Sequence, residues 1–157
     1  MLSKEESKNI RQAFWEGFTK YSAPKRKRMG RPKTWVMQNT GIKAVDLKFH
    51  IDEKMASVSI DVVSKSIDSR VAYWNKFLGL KTLLDTEFNN ELIWDDMFAL
   101  ETGKDIIRIA MIKEQVNIFD KNCWPDVYSF FFKQMIKFED WLEYYKDIIK
   151  VNQQDLV

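Results

Sequence analysis

Asp46, Lys48 and Asp61 are the side chains of this 157-residue chain that come nearest to a catalytic constellation. A metal-dependent nuclease of the restriction-enzyme type holds Mg²⁺ between carboxylates on neighbouring strands and uses a lysine to position or activate the attacking water. Such an enzyme carries an acidic residue, one spacer and then the lysine. Here Asp61-Val62-Val63 has no lysine two residues on, and Lys65 stands two residues further away. Two carboxylates opposed on an exposed sheet face repel by a few tenths to about 1 kcal/mol. The competing expectation is therefore a solvated outer face on which Lys48 relieves that repulsion, with no catalytic residue and no cofactor; Mg²⁺ belongs to the nuclease alternative alone.

A second constellation is electrostatic. Between Ser22 and Thr34 stand Lys25, Arg26, Lys27, Arg28, Arg31 and Lys33, six cations with no acid among them, interrupted by Pro24, Gly30 and Pro32. The chain has 25 basic and 23 acidic side chains; without these six it has 25 − 6 = 19 against 23, so the positive charge is local. Such a cluster attracts polyanions, with an affinity that falls as salt rises. Arg28-Met29-Gly30-Arg31-Pro32-Lys33 approaches the Gly-Arg-Pro hook that enters narrow minor grooves, with Met29 where an arginine is expected. Three readings stay open: a solvated basic linker, contact with nucleic acid, and contact with an acidic protein surface. Trp35 follows directly and either pins the segment or stacks on a base, pinning being the stronger reading.

Other chemistries have little material. His50 is the only histidine, Cys123 the only cysteine, and five glycines form no phosphate-cradling motif. One cysteine forms no internal disulfide, as suits a reducing cytoplasm. Met1-Leu2-Ser3-Lys4-Glu5-Glu6 does not read as a secretory signal, and no apolar run nears the roughly 18 to 20 residues of a membrane span. A cytoplasmic protein is expected, without membrane contact and with homodimerisation open.

The elements that position these residues are read from periodicity. Ser3 and Glu6 have capping-box spacing, and Ile10, Phe14, Phe18 and Tyr21 continue an amphipathic helix that should stop before Pro24. The basic segment 22–34 would then be a loop. Val45, Leu47, Phe49 and Ile51, and later Ala56, Val58, Ile60 and Val62, alternate with polar residues, which predicts a hairpin turning at Glu53-Lys54. That register pairs Phe49 with Val58, Leu47 with Ile60, Asp46 with Asp61, Lys48 with Ser59 and His50 with Ser57.

A second helix is expected from a cap at Ser66 or Asp68, through Val71, Trp74, Phe77, Leu78, Leu84 and Phe88, to Asn89-Asn90. Leu92 to Trp94 reads as a short strand and Thr102-Gly103 as a turn. Ile106 to Ile112 is apolar on both faces apart from Arg108, as for a central strand covered by helices, and Val116 to Phe119 is a candidate edge strand. Asp120 or Asn122 would cap the last helix, with Pro125 in its first turn and a stripe at Val127, Phe131, Met135, Phe138, Leu142, Tyr145 and Ile149. The fold class is α+β: an antiparallel sheet with helices packed on it, in the order α-β-β-α-β-β-(β)-α, forming one domain over 1–151 with a frayed tail at 152–157.

The order of Trp35, Thr40-Gly41-Ile42-Lys43, Val58-Ser59-Ile60-Asp61, Glu91-Leu92-Ile93-Trp94-Asp95, Gly103-Lys104-Asp105, Ile107-Arg108-Ile109 and Trp124-Pro125 resembles a bacterial domain-of-unknown-function family, number 4268. The likeness runs from about Ile10 to Ile149 and carries no catalytic signature. Members stand alone or behind nuclease-like domains of the restriction-enzyme type, so the resemblance implies a setting in nucleic-acid processing or defence and no activity for the domain itself. The expected function is an accessory or interaction module that touches nucleic acid through the basic segment. The alternatives are the divergent nuclease of Asp46, Asp61 and Lys48, and a protein-interaction or homodimerisation module.

Overall fold

A computed structural model describes residues 1–33, 35 and 39–156. The chain runs through helix α1 (Lys4–Arg28), strands β1 (Val45–Ile51) and β2 (Met55–Val62), helices α2 (Ile67–Gly79) and α3 (Lys81–Glu87), strands β3 (Ile93–Ala99) and β4 (Asp105–Glu114), and helix α4 (Trp124–Ile149). The four strands form one antiparallel sheet in the order β1-β2-β4-β3. The fold is the expected α+β arrangement. Val116 to Phe119 does not join the sheet, although Ile118 N–H bonds the Asp52 carbonyl at 3.0 Å beside the hairpin turn.

The hairpin takes the register that alternation predicts, including Asp46 opposite Asp61. Its turn is fixed by Asp52, whose Oδ1 accepts from the Lys54 and Met55 amides at 2.8 and 2.9 Å. Burial raises the Asp52 pKa, but the hydrogen bonds from His50 and from these two amides outweigh it and hold the carboxyl below its ordinary value.

All the helices lie on one side of the sheet. Val58, Ile60, Ile107, Ile109 and Met111 share a single core cluster with Phe14, Phe18, Phe77, Phe88, Phe131 and Phe138. Helix α4 supplies more of this core than any other helix, largely through the expected stripe, with Phe138 fully buried and stacked on Phe88 at 4.4 Å between centroids. Helix α1 crosses α4 at Gly17, where the Tyr128 hydroxyl fills the space a Cβ would need. That hydroxyl donates to the Phe14 carbonyl at 2.7 Å, and burial pushes its pKa up to about 12.

Three expectations need correcting. Helix α1 does not stop before Pro24 but continues to Arg28, so most of the basic segment is helical. The single helix expected between Ser66 and Asn90 is two, broken at Leu80 next to Gly79, a residue of low helix propensity. The break turns Leu84 and Phe88 into the core and leaves Val71 and Leu78 exposed. Finally, the tail does not fray over its described part: Gln153–Leu156 forms a 3₁₀ turn held by Asn152, and Asp155 pairs with Lys76 of α2 at 3.3 Å.

Removing a large aromatic from a filled core loses its transfer free energy and leaves a cavity. Phe138→Ala should therefore cost about 3 to 5 kcal/mol, much of a domain's roughly 5 to 15 kcal/mol. Chemical denaturation measures it; a destabilisation under about 1 kcal/mol would show that the α4 stripe is not the core.

Candidate functional site

The six cations of the basic segment have different fates. Arg26 is 2% exposed: its Nη1 donates to Glu139 Oε1 of α4 at 2.8 Å, its Nε donates to the Lys33 carbonyl at 2.9 Å, and its guanidinium lies 4.3 Å from the Trp35 ring centre. Arg31 pairs with Glu139 at 3.4 Å and also with Asp140. Lys25 lies over the Tyr21 ring at 4.8 Å. Lys27, Arg28 and Lys33 remain exposed and are in no salt bridge among the described residues.

The helix tolerates Pro24 because tertiary contacts offset the roughly 3 kcal/mol that an interior proline costs. Its last turn carries four cations at the negative end of the helix dipole. It closes in a Schellman motif, with Gly30 at φ +77° and Arg31 N–H bonded to the Arg26 carbonyl at 2.8 Å. Trp35 pins this end, stacking on Phe18 at 5.7 Å and 4° and meeting Phe49 edge-on at 5.3 Å. Thr34 lies outside the described residues.

The Asp46, Lys48 and Asp61 trio is not assembled as expected. Asp46 and Lys48 are exposed neighbours 4.0 Å apart, but Asp61 is buried, 2% exposed, and bound elsewhere. Arg108 of β4 stands opposite Asp61 and grips it in a fork, Nε to Oδ1 at 2.9 Å and Nη2 to Oδ2 at 2.8 Å. Ser59 donates to the same Oδ1 at 2.8 Å, and the Phe98 ring lies 4.0 Å from the guanidinium carbon. The outer face near Asp61 is therefore not a solvated polar surface relieved by Lys48. Among the described residues no group of three or more His, Cys, Asp or Glu side chains is placed to hold a metal ion.

Sequence reasoning missed the site that this pair supports. Among the described residues no helix covers the outer face of the sheet. Across its centre run Lys48, Ser59, Ala110 and Ile93, then His50, Ser57 and Ile112 in the next row. Small residues in the middle and large ones around them make a hollow of about 620 Å³, floored by Ser57 and Ala110 and walled by Met55, Ile93, Phe98 and Ile112. One wall belongs to the edge strand β3, where Ile93 is 52% and Met97 69% exposed. On the other side of β3, Trp94 meets Trp74 of α2 edge-to-face at 5.9 Å. Trp74 sits within an α2 stripe whose other members, Ile67, Val71 and Leu78, are exposed. The signal available beforehand was Arg108, a lone cation in an apolar run one strand away from a lone acid.

A second hollow of about 510 Å³ lies between α1, β1 and α4, lined by Trp15, Phe18, Trp35, Lys48 and Glu139 among others.

The model of a family described as a domain of unknown function, DUF4268, matches residues 10–146. The chain belongs to this family. No curated protein and no solved structure matches it. Several of the residues that carry the family likeness hold the fold: Trp35 pins α1, Asp61 and Arg108 pair, the Trp94 indole donates to Asp85 at 2.7 Å, and that of Trp124 donates to the Ile118 carbonyl at 2.8 Å. No described helix is long and apolar enough to cross a membrane.

Two variants test these pairings. Asp61→Asn, neutral or stabilising on a solvated face, should instead cost about 3 to 5 kcal/mol, because it leaves the Arg108 charge uncompensated. Arg26→Ala should also destabilise, by leaving the largely buried Glu139 only its longer contact with Arg31 and by uncovering Trp35, whereas a Lys27→Ala/Arg28→Ala/Lys33→Ala triple should stay within about 1 kcal/mol of wild type. Urea denaturation of the three proteins checks both expectations, and an unaffected Asp61→Asn would mean that the fork does not hold in solution.

Proposed function

We propose that this domain is a protein-interaction module whose working surface is β3 with the uncovered sheet face beside it. The observation that carries this reading is the exposure of apolar side chains on both sides of one edge strand: Ile93 and Met97 on β3 itself, and Ile67, Val71 and Leu78 on the helix behind it. Scattered apolar residues on a surface mean little, but exposed apolar side chains that border a hollow, as Ile93 does, mark a binding surface. Contact with nucleic acid through the basic segment has less support, since Arg26 and Arg31 are engaged by α4 and the exposed remainder is Lys27, Arg28 and Lys33. The nuclease reading has less still, because the Asp61 carboxylate is already matched in charge by Arg108.

A photo-cross-linking amino acid at Met97, with Lys20 on α1 as the control position, tests the reading in cells that make the protein naturally. The expected result is one defined polypeptide captured at Met97 and not at Lys20, whose complex re-forms from purified components. The reading falls if no polypeptide is captured and the purified domain instead binds duplex or single-stranded nucleic acid saturably. In that case the Lys27, Arg28 and Lys33 triple variant should lower the salt slope by about 0.9 for each duplex phosphate it no longer neutralises.

A further inference from the structure

Resting on that reading, we infer that the uncovered face takes a basic segment of a partner protein, with one large apolar side chain seated in the hollow and lysines or arginines over its rim. The hollow has the shape for the anchor: Ser57 and Ala110 keep the floor low while Ile93, Phe98, Met55 and Ile112 stand around it. About 620 Å³ is in the range of preformed ligand sites and ample for one aromatic or branched side chain.

The charge around the hollow selects the rest of the ligand. Residues 91–105 carry Glu91, Asp95, Asp96, Glu101 and Asp105 against Lys104 alone, and none of these acids is in a salt bridge among the described residues. Asp95 and Glu101 line the hollow itself. Arg108 also lines it, but Asp61 cancels its charge, so it does not repel an incoming cation. The surface is thus apolar at its centre and negative along its β3 side, with Lys48 and His50 on the β1 side, and complementary charge steers a basic partner to the β3 side and disfavours acidic ones. Recognition falls to side chains, because the irregularity between Asp95 and Phe98 interrupts the β3 ladder and spoils that edge as a template for a continuous added strand.

Fluorescence anisotropy with three short labelled peptides tests this: one of lysines around a central tryptophan, one with glutamates replacing the lysines, and one of lysines alone. The lysine–tryptophan peptide should bind saturably, the glutamate peptide not at all, and oligolysine about tenfold more weakly or worse. Asp95→Lys/Glu101→Lys should weaken the first peptide by about tenfold and flatten its salt dependence, and Ala110→Phe should do so by filling the floor. Ile93→Glu alters an exposed wall, so it tests the anchor even where Ala110→Phe fails to fold.

Equal binding of all three peptides, or indifference to the charge reversal, overturns the inference. So does self-association in the ultracentrifuge that Ile93→Glu abolishes, which would assign the face to a second copy. If Met97 still captures a partner while the peptides show no preference, the basic-segment inference fails and the interaction reading stands. If neither occurs, both fall.

Discussion

A carboxylate taken out of water has to be matched in place, and the pairing of Asp61 with Arg108 governs the sheet for that reason. An unpaired buried charge is far more costly than any single contact around it, so β2 and β4 are held in the one register that sets the two opposite each other. A slip by one residue would put the two charges on opposite faces and send either Val58 and Ile60 or Ile107 and Ile109 to the uncovered face. The pair therefore decides which side of the sheet receives the helices. It also makes the uncovered face usable: with its one buried charge cancelled, the centre can stay apolar without being filled by the chain itself.

A second long-range pair does the same for the helical layer. Arg26 reaches Glu139 across 113 positions of sequence, and with Trp35 it fixes the end of α1 to the middle of α4. Helix propagation through Pro24 follows from this contact more than from local preference, since an interior proline is tolerated when the residues beyond it are needed elsewhere. What looks in the sequence like a basic loop is consequently divided. Part of it neutralises α4, part complements the helix dipole, and three cations are left facing solvent.

These two pairs also explain how much is legible in the sequence. Hairpin register and the α4 stripe are readable because alternation and the 3.6 period are local properties. Asp46, Lys48 and Asp61 stand along their strands as alternation predicts, whereas the environment of Asp61 does not match, because its partner lies 47 residues away on a strand whose pairing the hairpin does not specify. The end of α1 differs for a similar reason: proline is a reliable local signal until a tertiary contact overrides it. On α2 the discrepancy is of another kind. Val71, Trp74 and Leu78 are helical and apolar, and a single sequence does not distinguish a stripe that packs inward from one that awaits a partner.

The same ambiguity bears on what β3 is built to do. An edge strand with exposed apolar residues invites pairing with other copies of itself, and chains commonly guard such edges with charge and with bulges. Here the guard is Asp95-Asp96, set at the irregularity in the β3 ladder. If protection were the whole purpose, a polar residue at Ile93 and at Met97 would serve it more simply, and filling the hollow behind them would add packing energy. The acids instead stand beside the apolar residues and leave them open. They repel another acidic edge, including that of a second copy, while leaving an approach for a segment of opposite charge. On the proposed interaction reading, protection from the wrong partner and selection of the right one are then the work of the same carboxylates.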